Sequence, residues 1–143
     1  MDAKKSAWLI PCNVGLYDPF GAFSTLDEVD WRQSSQVIPG DVVYIYCSRP
    51  YSKVMFKTIV IESNIPAELS SKNDIEYHKT PGKAPIGNPP RYGYMRLKQL
   101  AFLDCEQLSL NMLAEFGLVS APQGPRRLTG DLLKYISDRF THA

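Results

Sequence analysis

The feature that most constrains the fold is a continuous apolar run at residues 42–48, VVYIYCS. Its β-branched and aromatic residues favour a strand, and the run is apolar on both faces. Such a strand must be covered on both sides, so we expect it at the centre of a sheet. The turn IPGD precedes it, where Pro39 fixes φ and Gly40 tolerates a positive φ. A second apolar run, KVMFKTIVIE at residues 53–62, predicts a β-hairpin.

Weaker patterns on either side of this hairpin complete the predicted architecture. AWLIPC predicts a first strand and YGYMRLKQLAFL a third long one, whereas NVGLYDPFGAF has the Gly and Asp-Pro signals of a loop. The predicted helices cover about residues 26–33 (after a capping box of Thr25 and Glu28), 110–116 (between Ser109 and Gly117) and 130–140 (after Thr129). This order predicts an α+β fold with a small, curled, mostly antiparallel sheet.

Length and composition set the class of protein. The 143 residues fit one domain with one core, and 44% hydrophobic with 22% charged residues is typical of a chain that folds. No apolar run approaches a membrane span, and residues 1–6 lack the apolar stretch of a signal peptide, so we expect a cytoplasmic protein. Three widely spaced cysteines and two histidines do not match a zinc site, and we expect no metal or cofactor.

The net charge of +1 hides an uneven distribution. Residues 1–41 contain three Lys/Arg against six Asp/Glu, whereas residues 79–103 contain five Lys/Arg and no acid. Such a basic segment is either an ordinary solvated surface or a face for phosphates, and both interpretations stay open. The candidate phosphate-binding residues are Arg91, Arg96 and Lys98 in this segment, and Gln123, Arg126 and Arg127 ahead of the last helix.

Patterns typical of catalysis are missing from the sequence. The motifs GxxxxGK[ST] and GxGxxG are absent, and Asp41 with Glu62 does not make a divalent-metal site. The one nucleophile–base pair to consider is Cys47 with His78, and nothing in the local sequence supports it. Nucleic-acid binding asks only for cations and aromatic rings, and the chain has 16 Lys/Arg with six Phe, eight Tyr and two Trp. We therefore expect a binding protein and not an enzyme.

The stretch VDWRQSSQVIPGDVVYIYCSRPYSKVMFK resembles the EVE domain, a member of the PUA-like group that also contains the YTH and ASCH domains. The matching features are the tryptophan of DWRQ, the PGD turn, and the strand that ends in Tyr46 and Ser48. AWLIPCN fits the first strand of that domain, and LAEFGLVSAPQGPRRL resembles its late segment. The resemblance implies one domain over residues 1–143, built as a small curved β-barrel with flanking helices. It also implies a reader of modified bases, such as 5-methylcytosine in DNA, with RNA left open.

A reader of this kind takes a flipped base into an aromatic pocket. The resemblance implies that Trp31 forms one wall, and that Arg32 and Gln33 hydrogen-bond a base edge or a phosphate. A core position on the sheet remains the alternative for Trp31. The implied pocket residues are Trp31, Arg32, Gln33, Tyr46, Ser48, Pro50, Trp8 and Asn13.

Three further points follow from the resemblance and the composition. The chain has no HNH-like metal cluster, so a nuclease of a restriction system is implied only as a separate partner. A relative of the ASCH kind would instead be an enzyme acting on a modified nucleoside, with Lys53 or Glu62 as a polar pocket residue. A protein-interaction module would use the Pro-rich segment 79–91 as its contact.

Overall fold

The computed structural model describes residues 4–71, 73–79 and 91–141. The strands are β1 (Ala7–Cys12), β2 (Glu28–Arg32), β3 (Val42–Cys47), β4 (Lys53–Ile65), β5 (Tyr94–Phe102) and β6 (Arg126–Leu128). The helices are α1 (Pro19–Thr25), α2 (Leu110–Leu113) and α3 (Gly130–Thr141). Across these ranges no helix has the length and apolar character that crossing a membrane requires. Most of the predicted Pro-rich loop, residues 80–90, lies outside the described residues, so its role stays a prediction.

The strands of the described ranges form one sheet in the order β2-β5-β4-β3-β1-β6. β1 runs parallel to β3, and the other neighbouring pairs are antiparallel. Register shifts along β4, on both of its edges, let the sheet bend. The predicted α+β architecture with a small, curved, mostly antiparallel sheet is confirmed.

The sheet separates two hydrophobic clusters. The inner cluster lies on the side of α1 and includes Phe23, Val29 and Ile45. The outer cluster lies on the side of α3 and includes Tyr44 and Ile136. Because β3 contributes buried side chains to both clusters, its predicted central position is confirmed.

The predicted IPGD turn is also confirmed. The Asp41 N–H donates to the Ile38 carbonyl at 3.0 Å, and Gly40 has a φ of +94°. The buried Asp41 carboxylate then accepts hydrogen bonds from the Ser6 N–H at 2.8 Å and from the Trp8 indole N–H at 3.1 Å. The turn therefore fixes the start of β1 against the start of β3.

The predicted helix over residues 26–33 is wrong, because the helix lies earlier in the chain. Asp18 is the N-cap of α1 and accepts a hydrogen bond from the Gly21 N–H at 3.1 Å, and Pro19 is the first helical residue. Pro is well tolerated there, because the first N–H groups of a helix have no partner within it. The Asp-Pro pair that indicated a loop marks the beginning of a helix.

Residues 28–32 form the edge strand β2 instead of a helix. Val29 and Trp31 pack on the inner cluster, whereas Asp30 points to the other face and pairs with Arg96. The alternation of apolar and charged residues with a period of two therefore decides this segment. Glu28, which suggested a capping box, is the first residue of this strand.

The C-terminal third follows the prediction closely. The Ser109 hydroxyl accepts the Met112 N–H at 3.4 Å at the start of α2, and Gly117 ends that segment with a φ of +107°. α3 buries Leu132 and Ile136 on one side, as its amphipathic pattern predicts. The one correction is that the loop expected ahead of α3 contains the short strand β6, which pairs with the first half of β1.

Candidate functional site

Trp31 lies at the edge of the inner cluster and is half-buried. Its indole is nearly parallel to the Phe23 ring, at 16° and a centroid distance of 6.2 Å. The Tyr17 ring meets it edge-on, at 75° and 5.2 Å. Trp31 therefore has one aromatic wall behind it and a second at right angles, and part of it reaches solvent.

The Tyr17 ring is held by a small polar network. Its hydroxyl donates to Asp74 Oδ2 at 2.7 Å, and His78 Nε2 lies 3.8 Å from Asp74 Oδ1. The Tyr17 and His78 rings also meet edge-on at 4.9 Å. Burial, together with the hydrogen bond to Asp74, raises the pKa of the Tyr17 phenol, so it stays a donor at neutral pH. The network fixes the ring that borders Trp31.

A tight turn at residues 13–17 carries Tyr17 and connects it to the ends of β1 and β3. The Asn13 side chain accepts the Gly15 N–H at 2.9 Å, and its carbonyl accepts the Tyr17 N–H at 3.1 Å. The Ser48 hydroxyl accepts the Val14 N–H at 3.0 Å. The 13–17 turn thus links the predicted pocket residues Asn13 and Ser48 to Trp31 through Tyr17, which also contacts His78; we call this region the Trp31 opening. The exposed Pro50 lies two residues beyond Ser48 in the following turn.

Two exposed cations, Lys79 and Arg91, lie near backbone segments that lead to this region. The Lys79 N–H donates to the Leu16 carbonyl at 2.9 Å, which places Lys79 beside the 13–17 turn. Arg91 lies two residues before Gly93, and the Gly93 carbonyl accepts the Gln33 N–H at 3.0 Å. Neither side chain forms an ion pair within the described part of the chain. Both are therefore available to phosphates, and the phosphate-binding role of Arg91 stays a prediction.

The predicted role of Gln33 in reading a base edge does not fit its position. Gln33 is 0% exposed. Its side-chain amide donates to the Ser35 carbonyl at 3.0 Å and to Asn64 Oδ1 at 2.9 Å, and it accepts the Asn64 N–H at 2.7 Å. These bonds tie the end of β2 to the end of β4, so Gln33 is a structural residue.

Three more predicted pocket residues lie away from the Trp31 opening. Trp8 is buried at the far end of β1, with its indole N–H on Asp41 and the Arg127 guanidinium 4.8 Å from its ring centre. Tyr46 is buried in the outer cluster, because side chains alternate along β3. Arg32 is exposed and follows Trp31 directly in β2, which turns its side chain to the opposite face of the strand.

Arg96 does not serve as a free phosphate ligand. Its Nε lies 2.8 Å from Asp30 Oδ1, a second nitrogen lies 3.2 Å from Asp30 Oδ2, and a third lies 3.3 Å from Glu62. The Asp30 carboxylate also accepts the Ser71 N–H at 2.8 Å. This network fastens residues 70–71 over β2, so the prediction for Arg96 is corrected.

The remaining phosphate candidates are spread over the surface. Lys98 is exposed and faces Glu28 across the β2–β5 pair. Arg126 and Arg127 lie on β6, which pairs with the start of β1 and not with the end that carries the 13–17 turn. Gln123 is exposed just before β6 and donates to the Ala121 carbonyl at 3.4 Å. These residues do not share a surface with Trp31.

Among the groups considered for catalysis, Cys47 is buried, and Lys53 and Glu62 are paired with other residues. Burial raises the pKa of the Cys47 thiol, and burial also raises the pKa of the neighbouring Cys12 thiol to about 12. Lys53 is paired with Asp104 at 2.8 Å, and this hydrogen bond raises the pKa of Lys53. Glu62 pairs with Arg96 near the other end of β4, about 30 Å along an extended strand from Lys53. Lys53 and Glu62 therefore do not share one pocket.

Sequence reasoning missed the residues that frame Trp31. Tyr17 and Phe23 lie in the segment that was read as a loop, and Asp74 and His78 lie in a polar stretch without a clear pattern. The available signal was Asp18-Pro19, because a capping Asp followed by Pro predicts a helix that would carry Phe23 towards the sheet.

Comparison with known structures identifies the fold. An ASCH protein from Zymomonas mobilis matches with a TM-score of 0.58 at 12% identity, over 94% of this chain and 96% of that one. A protein from Rhodopseudomonas palustris matches with 0.60 at 11% identity, over 96% and 94%. One from Agrobacterium tumefaciens matches with 0.60 at 14% identity, over 93% and 92%. The chain shares the fold of these three proteins.

The shared fold confirms the architecture that the sequence resemblance implied. No protein-family model and no curated protein sequence matches the chain. Identities of 11–14% establish a shared fold alone. The narrower EVE assignment and the base-reading role therefore remain predictions.

Proposed function

We propose that this chain is a non-enzymatic nucleic-acid-binding domain that holds one unstacked, modified base at the Trp31 opening. The observation that carries the proposal is the arrangement of aromatic rings there. Trp31 is half-buried, Phe23 supports it from behind, and Tyr17 stands at right angles to it. A flat ligand that enters this corner meets one ring face-on and another at its edge, which is how aromatic pockets hold a flipped base.

The expected energies for binding one flipped base nearly cancel. Extruding a base from a duplex costs a few kcal/mol, and stacking on an aromatic side chain returns roughly 1–3 kcal/mol. Contacts of Lys79 and Arg91 with neighbouring phosphates add a salt-dependent contribution. The balance is close, so a base that is already unpaired, as in a single strand, binds more readily.

Recognition of a modification rests on burial of a small group. One methyl group buried in an apolar slot contributes about 0.8 kcal/mol, which corresponds to a preference of about fourfold. The resemblance of residues 29–57 to the EVE domain supports 5-methylcytosine as the first base to test. We propose that this chain only binds the modified DNA, and that a separate nuclease partner would cleave it.

A binding screen tests the proposal. The protein is titrated against short DNA and RNA oligonucleotides that carry cytosine, 5-methylcytosine, 5-hydroxymethylcytosine or N6-methyladenine at one central position. We expect affinity that falls with salt, and a preference of severalfold for one modified base over its plain counterpart. Equal affinity for all probes would contradict modified-base recognition, and absence of binding at low salt would contradict nucleic-acid binding.

A further inference from the structure

A second aromatic cavity lies beside α1. Its volume is about 240 Å³, and it opens between α1 and the strands β4 and β5. Its lining residues are Phe20, Ser24, Phe56, Gln99 and Phe102. None of these residues belongs to the Trp31 opening, so we refer to this space as the Phe102 cleft.

The walls of the Phe102 cleft are aromatic. Ring centroids lie 5.7 Å apart for Phe20 and Phe56, 5.1 Å for Phe56 and Phe102, and 6.1 Å for Phe20 and Phe102. The Tyr51 ring packs on Phe20 at 4.9 Å. Phe102 is 45% exposed although it is large and apolar. A flat ring inserted here would cover apolar surface that the fold leaves in contact with water.

Two polar side chains, Gln99 and Ser24, also line the Phe102 cleft. The Gln99 side-chain amide has no hydrogen-bond partner among the residues that the structure describes. The Ser24 hydroxyl donates to the Gly21 carbonyl at 3.1 Å, and its oxygen still has lone pairs to accept. An amide offers one donor direction and one acceptor direction side by side, which matches the edge of a nucleobase.

Size and position narrow the choice of ligand. The volume is below the roughly 300–1,000 Å³ of pockets for drug-sized ligands, so it suits a single ring system. Phe20 and Phe23 lie three residues apart on α1. The Phe23 ring borders the Trp31 opening, and the Phe20 ring borders the Phe102 cleft.

The exposed Arg49 lies two residues before Tyr51 and forms no ion pair within the described ranges, so a phosphate can approach it.

We infer that the Phe102 cleft binds a second nucleobase of the same strand, close to the base at the Trp31 opening. This inference rests on the proposed function. Successive ring centroids along Trp31, Phe23, Phe56 and Phe102 lie 6.2, 5.1 and 5.1 Å apart. The two sites are therefore close enough for nearby nucleotides of one strand. Because both bases must leave their stacks, the preferred ligand has unpaired nucleotides around the modified one.

The test uses Phe102→Ala and the matched control Leu100→Ala, whose side chain is exposed on the same strand and does not line the cleft. Gln99→Leu serves as a second cleft variant, and thermal melts check that each variant is folded. The probes are a single-stranded DNA of twelve nucleotides with one central 5-methylcytosine, the same strand with abasic nucleotides on both sides of it, and the corresponding duplex. Fluorescence anisotropy gives each Kd.

The inference predicts that Phe102→Ala weakens binding to the intact single strand about tenfold, whereas Leu100→Ala leaves it unchanged. Gln99→Leu weakens the same binding, and the abasic probe binds wild type and Phe102→Ala equally. The single strand also binds more tightly than the duplex. If both cleft variants bind the intact strand like wild type, the second base site does not exist.

Parallel titration of Trp31→Ala separates this inference from the proposed function. Loss of binding in Trp31→Ala with no change in the cleft variants overturns the second site and leaves the first. Loss only in the cleft variants overturns the Trp31 site and keeps the cleft as a base site. No loss in either, or no binding by wild type, overturns both.

Discussion

Replacing Asp30 by Ala is expected to lower the free energy of unfolding by about 1–3 kcal/mol, because Ser70, Ser71 and Arg96 lose a buried acceptor, although Arg96 keeps Glu62 as a partner. The Asp30 side chain is 1% exposed and accepts hydrogen bonds from Arg96, Ser70 and Ser71. Those bonds hold residues 70–71 on β2, so the variant should also release that segment. Urea denaturation of both proteins at pH 7 measures the difference.

The matched control is Asp104→Ala. Asp104 is paired with Lys53 at 2.8 Å, but its side chain is 52% exposed, and such solvent-exposed pairs contribute little to stability. The account predicts a much larger loss for Asp30→Ala than for Asp104→Ala. Equal losses would show that the Asp30 network does not hold the fold together.

The Asp30 network also predicts how stability depends on pH. Burial alone would raise the pKa of Asp30, but hydrogen bonds from Arg96 and Ser71 and the Arg96 charge outweigh it and hold the pKa below its usual value. A carboxylate with a lowered folded-state pKa stabilises the fold above its unfolded pKa of about 3.9, and that stabilisation is lost as the pH falls through the folded value. Wild type and Asp30→Ala should therefore become more alike in stability at strongly acidic pH.

Replacing Phe23 by Ala is the second change with a large expected effect. Phe23 is 6% exposed, and its ring lies between Trp31 at 6.2 Å and Phe56 at 5.1 Å. Truncating a buried Phe costs about 3–5 kcal/mol, and here it also removes the wall behind Trp31. We expect a lower melting temperature, a red-shifted tryptophan emission, and weaker binding of any base-containing ligand.

Phe23→Leu is the control for this prediction, because it keeps most of the volume but removes the aromatic ring. It should be destabilised less than Phe23→Ala and should retain part of the binding. If Phe23→Ala leaves the tryptophan emission unchanged, then Phe23 does not support Trp31 in solution as it does in the structure.

The central strand, the turn before it and the ends of the helical segment 110–116 could be predicted because each local sequence pattern there is compatible with only one structure. The run VVYIYCS is apolar on both faces, and this allows only a central strand. The IPGD turn and the Ser109 and Gly117 helix ends carry local backbone requirements that the sequence displays directly. Burial and turn chemistry both act within a few residues, so no knowledge of distant contacts is needed.

The error at α1 and β2 came from a competition between local signals. Asp27 and Glu28 favour a helix N-terminus, whereas Val29 and Trp31 alternate with Asp30 as in a strand. The outcome depends on Arg96, which is 66 residues away and neutralises Asp30. The local propensity of residues 28–32 does not predict a contact between residues so far apart in the sequence.

The candidate site was only partly accessible to sequence reasoning for a similar reason. Ser48 and Asn13 lie close together because they follow parallel strands that end at the same edge of the sheet. Tyr46 was placed wrongly because a strand buried on both faces gives no sign of which residues face which layer. Tyr17 and His78 become neighbours only once the 13–17 turn meets the segment at 77–79.

Whether Trp31 holds the modified base is tested most directly by comparing Trp31→Ala with Tyr135→Ala. Both variants are titrated with single-stranded DNA that carries one 5-methylcytosine. Tyr135 is also a partly buried aromatic residue, but it lies with the outer cluster on α3. We expect that Trp31→Ala weakens binding at least fivefold and abolishes the preference for the methylated strand, whereas Tyr135→Ala binds like wild type. Unchanged affinity and unchanged preference in a folded Trp31→Ala protein would contradict this role of Trp31.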